Sequence, residues 1–498
     1  MDTPTLVAVG AGVIGTLVIL RYTLFPVLIR TWWAKKMELY NSIPYPGLEE
    51  AIGVSNTTPN LGSFLFPLSQ RLAAVQSLPN KGIMYKDRFL WKPTVASTEP
   101  KHLTMVSKMN RTIRFKKIAM FLGRESILFQ DGERGKHDRM KLNKAFGTND
   151  FERMQPMMVE ASVWMRDRFL KSQMENGYVN PSVLVKRTTL EVICEGGFGY
   201  RIQDNSNAAA DEITKLLEIA LNPLAFFDWG MPLVQWYHRK TLKFVDDLIS
   251  EIVKQRLASP DESKKDLLQL LVSVEGDMVG GVPKAVWIRD QLQLFCFAGT
   301  DTSSATLQWL ICFLATNQAV QNKIHEELDE VIGQGYSSPT YQQVSKLKYL
   351  EACIKETLRL YPPAAGISRA FAEDQKREID GVPIPEDVFV RIDIINMHRR
   401  ADLFSRPNEF LPERFLHNGE DPNAPTVTND AYVPFAFGFR SCIGKHFAML
   451  EIKTVAATLL KNHRLLPLNP DQPFPDGSFR KGILFPATSF DVKIVDRA

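Results

Sequence analysis

The sequence has few of the patterns that identify many common classes of protein. Only five cysteines occur among 498 residues, and none forms a C-x-x-C pair, so zinc and thioredoxin-like centres have little support. The odd, scattered set also argues against a disulfide framework and for a reducing compartment. No run of five basic residues occurs, and a net charge of +4 is too small at this length to indicate a nucleic-acid partner. No G-x-G-x-x-G motif follows a strand and opens a helix, so no dinucleotide-binding domain is expected.

The N-terminus, in contrast, is strongly hydrophobic. Residues 3–20 carry no charge, and a helix of that length would span about 27 Å, close to the ~30 Å hydrocarbon core of a bilayer. A cleaved signal peptide is the alternative, but no positive charge precedes the segment and no small-residue cleavage site follows it. The positive-inside rule places the rest of the chain in the cytosol, because the basic residues follow the segment, at Arg21, Arg30, Lys35 and Lys36.

The remainder of the chain indicates one mainly α-helical domain with a smaller β-rich part. Much of the region 140–360 has apolar residues at i, i+3, i+4 spacing, which predicts helices. One of these helices, from Pro283 to about Asn317, is apolar around so much of its circumference that it must be buried. Short β-like runs occur at 388–394 and 489–495. The predicted organisation is a membrane anchor at residues 1–30, a basic flank and proline-rich hinge at 31–50, and a catalytic domain at 51–498.

A chemically distinctive stretch near the C-terminus is FAFGFRSCIGKHFAML, which contains Cys442. A predicted helix follows, so its free N–H groups and its dipole would stabilise a thiolate at this position. Gly438 and Gly444 allow a tight turn and the close approach of a flat ligand, and Arg440 suits a carboxylate. These residues alone also fit an inert buried cysteine, or a nucleophile that is paired with His446.

The whole stretch fits the pattern F-x-x-G-x-R-x-C-x-G-x-x-x-A and resembles the cysteine-ligand loop of the cytochrome P450 family of haem-thiolate monooxygenases. The resemblance implies that the cofactor is haem b (iron protoporphyrin IX) and that the thiolate of Cys442 is its axial metal ligand. It also implies that Arg440 contacts a haem propionate. The matching positions are Phe435, Gly438, Arg440, Cys442, Gly444 and Ala448; of these, Phe435 and Gly444 are further candidates for cofactor binding.

A second stretch, AGTDTS, lies halfway along the long buried helix. A bond from the Thr302 hydroxyl back to the carbonyl of Ala298 is the simplest way to accommodate a buried threonine. Asp301 beside it is harder to explain as a core residue. The stretch is similar to the family's acid–alcohol signature, with Ser303 as an allowed variant of its last position. The resemblance implies that Asp301 and Thr302 are catalytic and relay protons during the activation of dioxygen.

A third stretch, KETLRLYPP, places Glu356 and Arg359 at i, i+3 spacing, which by itself indicates only a surface ion pair. The stretch matches the family's E-x-x-R helix, and FLPERF supplies Arg414 at the position that completes the cluster. The resemblance implies a structural role for these three residues in fixing the core on the haem side. It also makes Arg369, in ISRAF, a second propionate-binding candidate.

A fourth stretch, DGERGKHDRMKLNKAF, lines up with the family's W-x-x-x-R helix through Arg139, a third propionate-binding candidate. Gly135 stands at the tryptophan position and Lys144 at that of a frequent proline. We therefore expect one propionate to have altered contacts, with Lys136 or His137 compensating. Two interpretations of the basic helix stay open, a solvated face or a docking surface for an acidic electron donor; its residues are Arg134, Lys136, Lys141 and Lys144.

Together these stretches predict a single-pass protein of the endoplasmic reticulum membrane that inserts one oxygen atom from dioxygen into a lipophilic substrate. Electrons would come from NADPH through a separate NADPH–cytochrome P450 reductase. The general character of the chain resembles that of fungal microsomal members that serve terpenoid or polyketide pathways. By family position, the substrate-pocket candidates, each also explicable as a core residue, are Phe297, Ala298, Ala365, Gly366, Ile367 and Leu484.

Two other functions remain open at this point. One is a reductase-independent haem-thiolate isomerase or dehydratase, and the other is a non-catalytic haem-binding protein. Neither needs a proton relay, so Asp301 and Thr302 favour the monooxygenase.

Overall fold

A computed structural model describes thirteen stretches of the chain, and the anchor predicted at residues 1–30 and the hinge predicted at 31–50 lie outside them. Within the described part, no helix is both long enough and apolar enough to cross a membrane. The described residues are 84–89, 92–111, 119–145, 151–202, 211–215, 230–261, 266–335, 338–372, 375–384, 386, 388–416, 429–480 and 483–497.

The described chain is mainly helical, as the apolar spacing predicted. Short 3₁₀ turns occur at Pro412–Phe415, Asn429–Ala431 and Gly438–Arg440. The helices are α1 (His102–Ser107), α2 (Ala119–Leu122), α3 (Gly132–Ala145), α4 (Phe151–Asn176), α5 (Pro181–Phe198), α6 (Gly230–Tyr237), α7 (Arg239–Ala258), α8 (Leu267–Val272), α9 (Lys284–Thr316), α10 (Gln318–Ile332), α11 (Tyr341–Lys346), α12 (Lys348–Leu360), α13 (Ile394–Met397) and α14 (Lys445–Leu460).

The β structure is small. One five-stranded sheet has the order β1-β2-β9-β6-β3, with β2 and β9 parallel and the other pairs antiparallel. The described residues also form four two-stranded ladders. The hairpin β7–β8 belongs to a separate compact unit. The strands are β1 (Met84–Phe89), β2 (Lys92–Ser97), β3 (Asn110–Arg111), β4 (Met278–Val279), β5 (Val282–Pro283), β6 (Ile367–Ala370), β7 (Glu378–Ile379), β8 (Val382–Pro383), β9 (Phe389–Ile392), β10 (His463–Pro467), β11 (Gly477–Arg480), β12 (Ile483–Pro486) and β13 (Val492–Asp496).

Helix α9 is the long helix that the sequence predicted, and it joins two apolar clusters. Its first half, including Trp287 and Phe295, packs in one cluster, and its second half, including Leu310 and Leu314, packs in the other. Glycine at 299 permits the close approach of α5, since a Cβ there would lie 2.9 Å from Cγ1 of Ile193. The polar stretch AGTDTSS therefore lies in a buried helix, at the junction of two apolar clusters.

Glu356, Arg359 and Arg414 form one buried polar cluster. Both oxygens of Glu356 accept hydrogen bonds of 2.7 Å from Arg359, one helical turn away on α12. Arg414, on the 3₁₀ turn, donates to the same carboxylate at 3.0 Å, and so does the backbone N–H of Leu411. The side chains of all three charged residues are fully buried. A buried carboxylate with four donors and two guanidinium groups is well satisfied, whereas any one of these charges alone would be costly.

His398 connects this cluster to the segment that leads to Cys442. Its Nε2 accepts a hydrogen bond of 3.1 Å from the N–H of Val433, so its Nδ1 carries the proton and donates to the carbonyl of Arg359 at 3.1 Å. Burial and the nearby guanidinium of Arg359 lower the pKa of His398 to about 3. The imidazole is therefore neutral, and it fixes the loop before the cysteine against α12.

We expect Glu356→Gln to lower the free energy of unfolding by about 3–5 kcal/mol, because two buried guanidinium groups would lose their counter-charge. Glu133→Gln is the matched control, since Glu133 pairs with Lys136 at the same i, i+3 spacing but on the surface, where such pairs contribute about 0–1 kcal/mol. Denaturant unfolding of both variants provides the measurement. Equal losses in the two variants would contradict a special role for the buried cluster.

Candidate active site

Cys442 lies between the 3₁₀ turn Gly438–Arg440 and the first residue of α14. Its N–H donates a hydrogen bond of 2.7 Å to the carbonyl of Phe435, and this bond closes the loop. Gly438 has φ +62°, and a Cβ there would lie 2.7 Å from Cβ of Ser107, so the turn requires glycine both for its backbone conformation and for space. Cys442 is exposed, whereas the other four cysteines are buried.

The thiol of Cys442 has positive groups around it, but its pKa is raised overall by desolvation. The N–H of Gly444 and the positive charges of Arg139 and Lys445 lower its pKa, although desolvation by the surrounding protein raises it more. Exposure to solvent and desolvation by the protein coexist if the sulfur lies on the floor of a concave surface. If a ligand covered the sulfur, the positive groups beside it would stabilise the thiolate form.

Two arginines lie beside this loop and bind protein oxygens at its edge. Arg139 of α3 donates to the carbonyl of Ser441 at 2.6 Å, which ties α3 directly to the residue before the cysteine. Arg440 donates to the carbonyl of Gln130 and to Oδ1 of Asp131, both at 2.7 Å. The loop is thus held from both sides by guanidinium groups.

Arg369 of β6 completes a group of three guanidinium ions. Desolvation, followed by repulsion from Arg440, lowers the pKa of Arg369 to about 10, and attraction by Asp131 opposes this. Arg440 likewise contributes to lowering the pKa of Arg139, for which burial is the main cause. Arg369 and Arg440 both interact with the carboxylate of Asp131, and Arg139 adds a third cation next to Arg440, which leaves an excess of positive charge. The two propionates of a haem would neutralise that excess, so the residues present fit this cofactor.

Gly135, which stands where the family usually has tryptophan, has a steric explanation in this chain. A Cβ at this position would lie 2.5 Å from the carbonyl oxygen of Gln130, which is the oxygen that binds Arg440. The predicted compensation by Lys136 or His137 stays a prediction. Both side chains are exposed, and Lys136 pairs with Glu133.

The acid–alcohol stretch has its two side chains in different environments. The Thr302 hydroxyl donates to the carbonyl of Ala298 at 2.6 Å, as the simplest interpretation of the sequence predicted. Asp301 is buried and lies 3.1 Å from Nζ of Lys186 on α5. The ion pair of Asp301 and Lys186 therefore links α9 to α5. The sequence gave no signal for this contact, because Lys186 lies on a separate helix.

The candidate pocket residues fall into two groups. Ala298 is exposed and Phe297 half-buried in the middle of α9, where most of the neighbouring residues are buried. With Thr302, also half-buried, Ala298 shares one face of the helix by i, i+4 spacing. An accessible strip on a core helix is what a ligand cavity requires.

The remaining candidates are less accessible. Ala365 and Leu484 are buried in a small cluster around Trp309, whose indole N–H donates to the carbonyl of Leu484 at 3.1 Å. Ile367 and Gly366 are half-buried, and a Cβ at Gly366 would lie 2.4 Å from Nε of Arg391 on β9. Contact of these four residues with a substrate stays a prediction.

Sequence reasoning did not identify three polar residues near the site. His398 and Lys186 had no local signal, since each acts on a residue far away in the chain. Glu451 did have one, because it is an acid on the otherwise apolar helix KHFAMLEIKTVAATLL. It is buried and accepts a hydrogen bond of 2.6 Å from the hydroxyl of Ser303.

Comparison with known proteins gives one consistent family. The family model described as cytochrome P450 matches residues 65–494. Cytochrome P450 4V2 of Mus musculus is 28% identical over 480 residues, which cover 88% of this chain and 87% of that protein. Cytochrome P450 4d2 of Drosophila melanogaster is 28% identical, covering 78% and 82%, and cytochrome P450 3A28 of Bos taurus is 29% identical, covering 73% and 74%. These relatives are animal proteins and give no support to the expected fungal character.

We expect Cys442→Ser to abolish the absorption band that marks a thiolate-ligated haem after reduction and treatment with carbon monoxide, because a serine hydroxyl is a far poorer electron donor. Cys353→Ala is the control, since this cysteine is buried on α12 and should leave the band in place. A Cys442→Ser spectrum identical to that of the unmodified protein would exclude this residue as the ligand.

Proposed function

Because this chain belongs to the cytochrome P450 family, we propose that it is a microsomal monooxygenase that receives electrons from NADPH–cytochrome P450 reductase and hydroxylates a lipophilic substrate. Its enzyme class, a monooxygenase oxidoreductase, follows from the family. The single observation that carries the proposal is the setting of Cys442. Cys442 is an exposed residue whose thiol lies near a group of three arginines and beside the N–H of Gly444.

In the proposed enzyme, Cys442 would bind the haem iron, and Arg139, Arg369 and Arg440 would bind the propionates. The haem, when bound, supplies the activation of dioxygen, with the thiolate increasing the electron density that favours O–O cleavage. Phe435 would help to hold the loop, since its carbonyl accepts the N–H of Cys442. The chain's own contribution is therefore to hold the cofactor and to deliver protons.

Proton delivery is assigned to Asp301 and Thr302. Asp301 exchanges a proton with its surroundings at its carboxylate, and Lys186, 3.1 Å away, holds that carboxylate in place. The hydroxyl of Thr302 lies on the half-exposed face of α9, where it can pass a proton to the reacting centre. The net reaction consumes two protons and two electrons for each substrate C–H that becomes C–OH, with the second oxygen leaving as water.

The surface beside the loop that contains Cys442 suits an electron-donating partner. Lys136, His137 and Met140 of α3 are exposed, as is Phe439 of the loop. The positive charge is smaller than the sequence indicates, because Arg134 pairs with Glu125 and Lys136 with Glu133. Docking of an acidic reductase on this face would be salt-sensitive, since such charges are screened.

We expect Thr302→Ala to reduce product formation on the order of 10²-fold, while NADPH and oxygen are still consumed and hydrogen peroxide accumulates. The loss of the hydroxyl would remove the proton donor on the accessible face of α9. Thr306→Ala is the matched control, since its hydroxyl bonds one turn further along, to the carbonyl of Thr302 at 3.0 Å.

The same experiment separates the monooxygenase from the other two functions. Oxygen uptake that depends on substrate, NADPH and reductase supports the proposal. Product formed with no reductase present would instead identify an isomerase or dehydratase, and haem binding without any turnover would identify a carrier or sensor.

For the substrate, we propose an apolar molecule of the terpenoid or polyketide type, processed in secondary metabolism at the endoplasmic reticulum membrane. The support is the accessible strip of Phe297, Ala298 and Thr302 on α9, which carries a hydroxyl as its single polar group, together with the predicted membrane anchor.

We expect apolar ligands from a lipophilic library to shift the haem absorption spectrum of the purified protein, and Ala298→Trp to abolish these shifts by filling the accessible strip. Polar ligands of similar size are the matched control, and they should shift the spectrum less than apolar ligands do. Shifts induced equally by polar and apolar ligands, or left unchanged by Ala298→Trp, would contradict an apolar pocket at α9.

A further inference from the structure

Thr189 of α5 contacts the backbone of the acid–alcohol stretch. The residue is fully buried, and its hydroxyl lies within hydrogen-bond distance, 3.1 Å, of the carbonyl oxygen of Thr300 on α9. A helical threonine ordinarily donates to a carbonyl of its own helix, as the adjacent Thr188 does to the carbonyl of Leu184 at 2.9 Å. The contact of Thr189 instead joins two helices, and the proposed relay of protons does not explain it.

The carbonyl of Thr300 belongs to the peptide unit that leads into Asp301. Because a peptide unit is planar, the direction of this carbonyl also fixes the direction of the Asp301 N–H. In a regular helix the carbonyl accepts the backbone N–H of Ser304. A second donor at the same oxygen draws the carbonyl away from the helix axis, which is how inserted side-chain donors bend helices. Thr189 therefore acts on the orientation of the segment that carries the acid.

Two other residues on the same face of α5 hold the same segment. Lys186 precedes Thr189 by three residues, and its Nζ lies 3.1 Å from Oδ1 of Asp301. One turn after Thr189, Ile193 packs against the glycine at 299, where a Cβ would lie 2.9 Å from its Cγ1. The spacing i, i+3, i+7 places these three residues on one face of α5. That face therefore holds three successive residues of α9, which are Gly299, Thr300 and Asp301.

The backbone of this turn is engaged by hydroxyl groups at most of its carbonyls. Three hydroxyls of α9 donate back to the carbonyls at 298, 301 and 302, at 2.6, 3.1 and 3.0 Å; they belong to Thr302, Ser304 and Thr306. With Thr300, four of the five successive carbonyls at 298–302 have a hydroxyl neighbour. Such bonds destabilise a helix slightly and let it bend. Of the four, that of Thr189 comes from another helix, so it can fix the turn relative to α5.

We propose that Thr189 is a positioning residue for the reaction. By donating to the carbonyl of Thr300, it fixes the peptide plane before Asp301 and keeps the hydroxyl of Thr302 aligned with the reacting centre. The proposal rests on the proposed monooxygenase function. The Thr189 hydroxyl is buried between two helices, so it acts through α9 and not on the substrate. Alignment matters because a misplacement of about 1 Å can reduce a rate on the order of 10²-fold.

The Thr189 hydroxyl has a second acceptor within reach. The carbonyl oxygen of Lys186, in its own helix, lies 3.0 Å away, so one proton faces two oxygens. Donation to Lys186 alone would leave the two helices unlinked at this point. Donation to Thr300, whether full or shared, changes the electron density at the Thr300 carbonyl carbon. The two arrangements are therefore distinguishable by a measurement on that single carbon.

The first test measures this hydrogen bond by NMR in the full-length holoenzyme, reduced and bound to carbon monoxide so that its haem is diamagnetic. The sequence contains one Thr–Asp dipeptide, at residues 300–301. Labelling with carbonyl-¹³C threonine and ¹⁵N aspartate therefore gives a single cross-peak for this peptide bond. A hydrogen bond deshields a carbonyl carbon, so we expect the Thr300 carbonyl resonance to move upfield in Thr189→Val.

Thr188→Val is the matched control, because it removes an equally buried hydroxyl whose bond stays within α5. It should leave the Thr300 resonance in place. Thr189→Ser keeps the hydroxyl and should restore the original resonance, and Thr189→Ala, which has a smaller side chain, should give the same shift as Thr189→Val. A resonance that does not move in Thr189→Val and Thr189→Ala would assign the proton to Lys186 and overturn the proposal.

The second test measures product formed per NADPH consumed. We expect Thr189→Val to lose coupling severalfold, with the excess electrons appearing as hydrogen peroxide, while KM for the substrate changes little. A loss of stability alone would lower the amount of active enzyme and leave this ratio unchanged. Thr188→Val should therefore keep normal coupling, and Thr189→Ser should recover most of it. Normal coupling in Thr189→Val would overturn the proposal even if the Thr300 resonance moves.

The two tests also separate this proposal from the proposed function. The NMR measurement depends on the bond between α5 and α9 and not on turnover. No reductase-supported turnover in the unmodified protein would overturn the monooxygenase assignment. A shifted Thr300 resonance would then identify Thr189 as a link between two helices and remove its role in a reaction.

Discussion

The carboxylate of Glu356 is the centre on which the cofactor side of the molecule depends. It is shared between two guanidinium groups and a backbone N–H, and Arg359 in turn donates to the carbonyls of His398 and Pro407 at 2.8 and 2.7 Å. Such a cluster adds little net stability over an apolar core, because desolvation offsets the attraction. What it supplies is a single arrangement of otherwise irregular loops, because its guanidinium groups donate to the backbone oxygens of those loops.

The cysteine loop extends that arrangement to the site. Through His398, the backbone at Val433 is fixed to α12, and the bond from Cys442 to the Phe435 carbonyl closes the loop. Because the imidazole is neutral, its two nitrogens have fixed and opposite roles, one donating and one accepting. A charged imidazole could not accept from the loop. The position of the thiolate thus depends on the same buried network that keeps His398 unprotonated.

Local patterns predicted much of this architecture. The long helix from Pro283 to Asn317 was evident from its apolar circumference, and the spaced motifs located Cys442, Glu356 and Arg359. The sequence could not indicate Lys186 or His398, because each acts across space on residues far away in the chain, where a single sequence carries no distance information. The predicted anchor at residues 1–30 lies outside the described residues and stays a prediction.

The polar stretch of α9 is costly for the fold, and the surrounding structure compensates for this cost residue by residue. A glycine, an acid and hydroxyl residues interrupt a helix whose two halves are held in apolar clusters, where such groups disfavour both helix and burial. The fold accommodates each one separately: Ile193 packs where Gly299 has no side chain, Lys186 pairs with Asp301, and Glu451 accepts from Ser303. Support from three separate side chains around one turn of helix is more than packing requires, and it supports the proton-relay role proposed for Asp301 and Thr302.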